Sequence, residues 1–237
     1  MSKTFLTSSY KALLLGLGAL AIAGCATSEP TLDTSSDAEL SFDGLYPVKG
    51  GRMDAAWARK DISTEPYTKI MLEGVGIEYR PGGSTKRYNP SRNDEFYALT
   101  DDQKARFQSE MRDAFMEELS KGEHFEIVTE PGEDVLLVRV GLLDVVSFVP
   151  PEPVGNADIY LSRVGEATLV LEMRDSLSNA ILIRAVDRRA AEDTARGFTQ
   201  SSRAMNTAEF RRVARTWGRI LREGLDRFMA EGDEAGE

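Results

Sequence analysis

Cys25 is the one cysteine of the chain, and it closes the run Ile22-Ala23-Gly24-Cys25. Lys3 and Lys11 form a positive head, Leu13 to Ala23 form an apolar run, and small residues precede the cysteine, which is the pattern of a secretory signal. The apolar run is too short to span a bilayer, which takes roughly 20 apolar residues. The run ending at Cys25 looks like a lipoprotein signal, and that resemblance implies that residues 1–24 are removed and that Cys25 becomes the lipidation site. A lipidated Cys25 leaves the mature domain without a disulfide or a thiolate metal site.

Other chemistry is harder to assemble from these residues. A hydrolase needs an activated nucleophile with a base in reach, and the lone histidine, His124, sits between Glu123 and Phe125 where a helix gives way to a strand. No Gly-x-Ser-x-Gly occurs, and the one Ser-x-x-Lys run, Ser8-Ser9-Tyr10-Lys11, falls inside the signal, so penicillin-binding-type chemistry has no support. Paired carboxylates do acid–base work in glycoside hydrolysis. Asp101-Asp102 and Glu117-Glu118 are adjacent on a helix, however, and adjacent helical residues point in different directions. One histidine and no free cysteine leave only carboxylates for a metal, without the loop spacing of a calcium site. The expectation is no catalytic residue, no metal and no cofactor. The loop from Arg80 to Ala98 supplies the one candidate partner-binding set, Lys86, Arg87, Tyr88, Arg92 and Tyr97, because loops carry binding residues disproportionately.

The elements that would hold these residues follow from periodicity. Tyr67 to Tyr79 alternates with a change of phase at Glu73-Gly74, which predicts a bulged strand. Thr100 to Gln103 forms a capping box ahead of a helix with Phe107, Met111, Ala114, Phe115 and Leu119 on one face, ended by Gly122. His124 to Thr129 is a short strand and Asp134 to Phe148 a long one. In the long strand Arg139 and Asp144, five apart, share a face only through a bulge, expected near Gly141. Gly165 to Asp175 and Ala180 to Arg189 read as a hairpin around a three-residue loop, Leu177 to Asn179, with Asn179 left-handed. That register sets Met173 opposite Ile183, Leu171 opposite Ala185 and, outside, Glu172 opposite Arg184. A second capping box, Asn206 to Glu209, opens the closing helix, whose apolar face is Phe210, Val213, Ala214, Trp217, Ile220, Leu221, Leu225 and Phe228. The order β, α, β, β, β, β, α predicts an α+β two-layer sandwich, a mostly antiparallel sheet of about five strands under two amphipathic helices.

The organisation read from composition is a signal at residues 1–24, an acylated cysteine and flexible linker at 25–39, a single domain at 40–230 and an acidic tail at 231–237. Residues 26–183 carry 16 basic against 29 acidic side chains, while residues 184–227 carry 11 arginines against 6 acids. An acidic chain is a poor nucleic-acid binder, because phosphate neutralisation supplies most non-specific affinity. The arginines of the closing helix, among them Arg211, Arg212, Arg215, Arg219 and Arg222, are expected to form a solvated face balanced by intramolecular acids.

Phe42-Asp43-Gly44-Leu45, Asp54-Ala55-Ala56-Trp57, Tyr67-Thr68-Lys69-Ile70, Pro131-Gly132-Glu133-Asp134-Val135-Leu136 and a strand ending near Asp175-Ser176 resemble the bacterial lipoproteins grouped as domain of unknown function 3313. The resemblance covers about residues 40 to 228 and brings no activity with it. Lipoproteins with Ala rather than Asp after the cysteine, as Ala26 is here, pass to the inner leaflet of the outer membrane in the enteric sorting scheme. The function expected is thus an outer-membrane-anchored periplasmic lipoprotein, a non-enzymatic envelope binding or adaptor module. Its partners would be the membrane, through the N-terminal lipid, and an envelope protein. Two other readings stay open, an envelope hydrolase with a carboxylate pair and a carrier of a small apolar ligand held between sheet and helices.

Overall fold

The computed structural model describes residues 29–63, 66–84, 95–150, 158–192 and 197–235. Cys25 with the signal, and Lys86, Arg87, Tyr88 and Arg92 of the candidate loop, lie outside the described residues. The elements are β1 (Thr31–Leu32), β2 (Tyr46–Lys49), β3 (Ala55–Ala58), β4 (Lys69–Tyr79), α1 (Asp101–Leu119), β5 (Glu126–Val128), β6 (Val135–Ser147), β7 (Tyr160–Leu161), β8 (Gly165–Asp175), β9 (Ile181–Ala191), β10 (Thr199–Gln200) and α2 (Arg203–Ala235). Among the described residues, eight strands form one sheet in the order β1-β2-β3-β9-β8-β6-β4-β5, and β7 pairs with β10 apart from it.

The α+β class holds, with both helices packed into one core against one face of the sheet. Strand β8 shows why: Gly165, Ala167, Leu169, Leu171 and Met173 are buried, while the residues between them are only partly covered, the period of two that a half-buried strand requires. From the helices, Phe107, Met111, Ala114, Phe115 and Leu119 meet Val213, Ala214, Trp217, Leu221 and Leu225 in that core. The helices run parallel, since Phe107 meets Phe210, Glu110 pairs with Arg211 and Glu117 with Arg215. Both therefore begin at the same end of the molecule.

Two expectations about the sheet are corrected. It holds eight strands rather than about five, and it is mixed, because β4 lies parallel to both β5 and β6. The cause is α1, which carries the chain back across the sheet between β4 and β5, the crossover that parallel neighbours need. Of the strands left unread, β1 lies in the expected linker and β7 and β10 pair apart from the sheet, while β2 and β3 are Tyr-Pro-Val-Lys and Ala-Ala-Trp-Ala. Neither shows a β-branched run, and both gain strand structure only by pairing with the β9 side of the sheet.

The β8–β9 register is as expected at Met173–Ile183, Glu172–Arg184 and Leu171–Ala185, and Asn179 takes the left-handed conformation at φ 60°. The turn differs, because the Asp175 N–H donates to the Ala180 carbonyl at 3.0 Å, so residues 176–179 form the loop. A one-residue shift between Met173 and Arg174 then restores the expected pairing. In β6 the bulge sits at Asp144 (φ 54°), where pairing with β8 shifts between Leu143 and Val146, rather than near Gly141. Aspartate tolerates that conformation, and the bulge turns Asp144 to the same outer face as Arg139.

The expected linker is structured in part, as Thr31–Leu32 pairs with β2 and Asp33 meets Lys49 at 2.7 Å. Helix α2 continues to Ala235, through most of the expected tail. It also begins before the expected box at Asn206. The Met205 N–H donates to Ser202 Oγ at 3.2 Å, so Ser202 caps the helix, while Glu209 lies inside it and pairs with Arg212.

Candidate functional site

The common start of the two helices frames a groove of about 530 Å³. Thr100 opens one wall, where the capping box is complete: Thr100 Oγ1 accepts the Gln103 N–H at 3.3 Å and Gln103 Oε1 accepts the Thr100 N–H at 2.8 Å. Ser202 opens the other wall. Val145 to Pro150, at and just after the end of β6, and Ile159, just before β7, close it. Its apolar lining comes from Phe107, Phe210, Val145, Val149 and Ile159, and its rim carries Arg106 and Arg203. Phe107 and Phe210 meet edge to face, with ring centroids 5.0 Å apart at 81°.

Phe210 reaches this position because β8 opens with a glycine. A Cβ on Gly165 would lie 2.4 Å from the Val146 carbonyl oxygen and 2.8 Å from the Phe210 ring. Gly165→Ala is therefore expected to displace Phe210 and to cost about 1–3 kcal/mol through overpacking. Thermal melts of wild type and variant measure this, and an unchanged midpoint would show that the contact is slack.

The groove lining carries two acids, Asp102 and Glu110, and two arginines, Arg106 and Arg203. On the outer sheet face Asp144 accepts from Arg80 Nε at 2.6 Å and from Arg188 Nη1 at 2.8 Å. Those two guanidinium hydrogen bonds hold its carboxyl far below the usual carboxylate range. Glu172 pairs with Arg174 at 2.6 Å and Arg184 at 2.9 Å; burial works against its ionised form, yet the two arginines together lower its pKa. The helix arginines behave as expected, with Arg211 on Glu110 at 2.9 Å and Arg215 on Glu117 at 2.8 Å, Arg212 on Glu209, Arg219 on Glu223 and Arg222 on Asp226. Arg106 and Arg203 have no carboxylate partner among the described residues, and both are exposed at the groove.

Of the residues singled out from sequence, Tyr97, His124 and the Glu117-Glu118 pair do not line this groove. Tyr97 is 4% exposed, and its N–H donates to the Ser147 carbonyl at 2.7 Å, so its ring belongs to the interior and is closed to a partner. His124 is exposed, with its backbone N–H on Asp226 Oδ1 at 3.1 Å. Glu117 and Glu118 diverge, one to Arg215 and the other to Lys121. Among the described residues no three of His, Cys, Asp and Glu are placed to hold a metal ion, and no helix is long and apolar enough to cross a membrane. The groove residues escape a sequence reading because four separate segments supply them. The one local sign is an arginine within the first two turns of each helix.

Residues 34–221 match the family described as protein of unknown function DUF3313. Among solved structures the chain is similar to protein XCC0632 of Xanthomonas campestris, of family DUF330, at 9% identity over 76% of this chain and 93% of that one, with a TM-score of 0.41. It is similar also to a neuraminyllactose-binding hemagglutinin homolog from Helicobacter pylori, at 10% identity over 74% of this chain and 94% of that one, with a TM-score of 0.38. A third likeness is to the PelC dodecamer of Paraburkholderia phytofirmans, at 10% identity over 70% of this chain and 94% of that one, with a TM-score of 0.34. No curated protein matches the chain. The family match spans well over half of the 237 residues and takes in every strand from β2 to β10 together with α1 and the first half of α2, so the chain belongs to the DUF3313 family.

Proposed function

We propose that this protein is an outer-membrane-anchored periplasmic lipoprotein, acting as a non-enzymatic binding module that receives an envelope partner in the groove between the starts of α1 and α2. The observation that carries the binding half is the contrast in charge. Most arginines on the sheet and helices are committed to acids of the same chain, with Arg112 and Arg227 as exposed exceptions, and two of the uncommitted ones, Arg106 and Arg203, stand together at an apolar lining. Concave, mainly apolar sites with a few placed polar groups are where ligands bind. The hydrolase alternative draws less support. Of the groove acids Asp102 and Glu110, Glu110 faces Arg211 on the second helix, and a general acid needs an environment that favours its protonated form. An open groove between helices and sheet also favours the carrier reading over a flat adaptor surface.

The lipid anchor rests on the run ending at Cys25. A protein with two or three acyl chains stays on the membrane, whereas a single chain binds only marginally. In membrane fractionation the Cys25→Ser chain is expected to leave the outer-membrane fraction that holds the wild type. A variant that still floats with that fraction would overturn the anchor. The binding half is tested by capture from detergent-solubilised envelopes, with Phe210→Glu in the groove against Leu177→Glu in the remote β8–β9 loop. Loss of the captured partner from both variants or from neither would overturn the groove as its site.

A further inference from the structure

We infer that the ligand of the groove is a long-chain carboxylic acid, its chain laid along Phe107, Phe210, Val145 and Ile159 and its carboxylate taken by Arg106 and Arg203. The inference rests on the groove being the binding site. Volume supports a small molecule, since about 530 Å³ falls within the roughly 300–1,000 Å³ of ligand pockets. Chemistry supports an acid. Guanidinium groups present a planar fork of donors matched to a carboxylate, and these two have no carboxylate of their own among the described residues, while of the two acids on the same lining Glu110 is held by Arg211 and Asp102 lies exposed in the first turn of α1.

Among the described residues the chain offers no occupant of this kind. Its acidic C-terminal end belongs to α2, a helix of 33 residues whose first turn forms the groove wall, which puts that end about 50 Å away at 1.5 Å per residue. Acyl groups on a lipidated Cys25 are esters or amides and bring no anion to the arginines. The lining also explains why a short anion does not suffice, because the burial that favours binding is that of a hydrocarbon chain, at about 25 cal/mol per Å².

The test uses the lipidated full chain in phosphatidylcholine vesicles, irradiated with a diazirine-bearing palmitate, with the crosslinked residues located by mass spectrometry. Labelling is expected to concentrate on the peptides carrying Val145 to Pro150, Ile159 and Phe210. Excess palmitate should compete it away and hexadecanol should not, since the alcohol lacks the anion. Arg106→Gln with Arg203→Gln should reduce it about tenfold, the scale of a lost charge-assisted hydrogen bond. Both arginines are exposed and unpaired, so this variant is expected to fold as the wild type does. Phe198, 70% exposed but not part of the lining, reports non-specific labelling. Labelling spread evenly over exposed residues, equal competition by hexadecanol, or full labelling of the double variant would each overturn the inference. If labelling fails while Phe210→Glu still abolishes partner capture, the ligand class is wrong and the groove stands. If Phe210→Glu leaves capture intact, it is the groove that falls.

Discussion

Trp217→Ala is expected to cost about 3–5 kcal/mol of folding stability, the sum of lost apolar burial and the cavity left behind. The indole is 0% exposed and lies in the core shared by both helices and the sheet. The surrounding backbone belongs to paired strands and a close helix contact, where a Cβ on Gly218 would lie 3.0 Å from Glu118 Cβ, so little can move in to fill the space. The arginines of the same helix provide the contrast. Arg211 and Arg215 do reach acids on α1, but the partners are about a third to a half exposed, where pairs contribute about 0–1 kcal/mol each. Arg211→Ala, Arg215→Ala and Arg222→Ala together should therefore shift the melt less than Trp217→Ala alone. A triple variant that melts below Trp217→Ala would show that charge, and not the apolar face, holds α2 in place.

The second large effect is expected at Asp187. Its carboxylate is 2% exposed and accepts from the Trp217 indole N–H at 2.7 Å, from Arg189 Nε at 2.6 Å and from the Asp54 backbone N–H at 3.1 Å. One residue thereby ties α2, β9 and the chain entering β3 together. Asp187→Ala strands a buried indole donor and removes the partner of Arg189, at about 3 kcal/mol, the low end for breaking a buried pair, because the guanidinium is about a third exposed and regains water. Asp187→Asn keeps one acceptor for the indole and should lose less. Denaturant unfolding of Asp187→Ala, Trp217→Phe and the double variant gives the coupling. Contacting residues deviate from additivity by about 0.5–3 kcal/mol, and strict additivity would mean that the indole bond does not bear on stability.

Much of this was readable from local pattern. The buried face of α1, the box at Thr100, the alternation of β8 and the opposition of Glu172 to Arg184 all follow from periods of 3.6 and 2 and from the residues that end them, which act over a few positions. The position of the β6 bulge was not readable in the same way. Arg139 and Asp144 require a bulge somewhere between them and their partners, but its seat at Asp144 depends on Arg80 and Arg188, which arrive from β4 and β9. Short strands were lost for a related reason. Tyr-Pro-Val-Lys and Ala-Ala-Trp-Ala are too short to show an alternation; Ala-Ala-Trp-Ala becomes a strand on the edge of β9, and Tyr-Pro-Val-Lys pairs in turn with it.

By itself, then, the amino-acid sequence determined the class of fold, the inward faces of the two helices and the central hairpin, and the family, since each is written in spacing or in short runs of residues. Only the tertiary structure decided the mixed sheet, the burial of Tyr97, the hub at Asp187 and the groove. Parallel pairing of β4 with β5 and β6 depends on where α1 returns the chain. Tyr97 reads as loop chemistry until Ser147 binds its backbone. The groove joins residues from positions 99 to 210, and the standing of Arg106 and Arg203 as uncommitted cations can be known only once every other arginine has found, or failed to find, its acid in space.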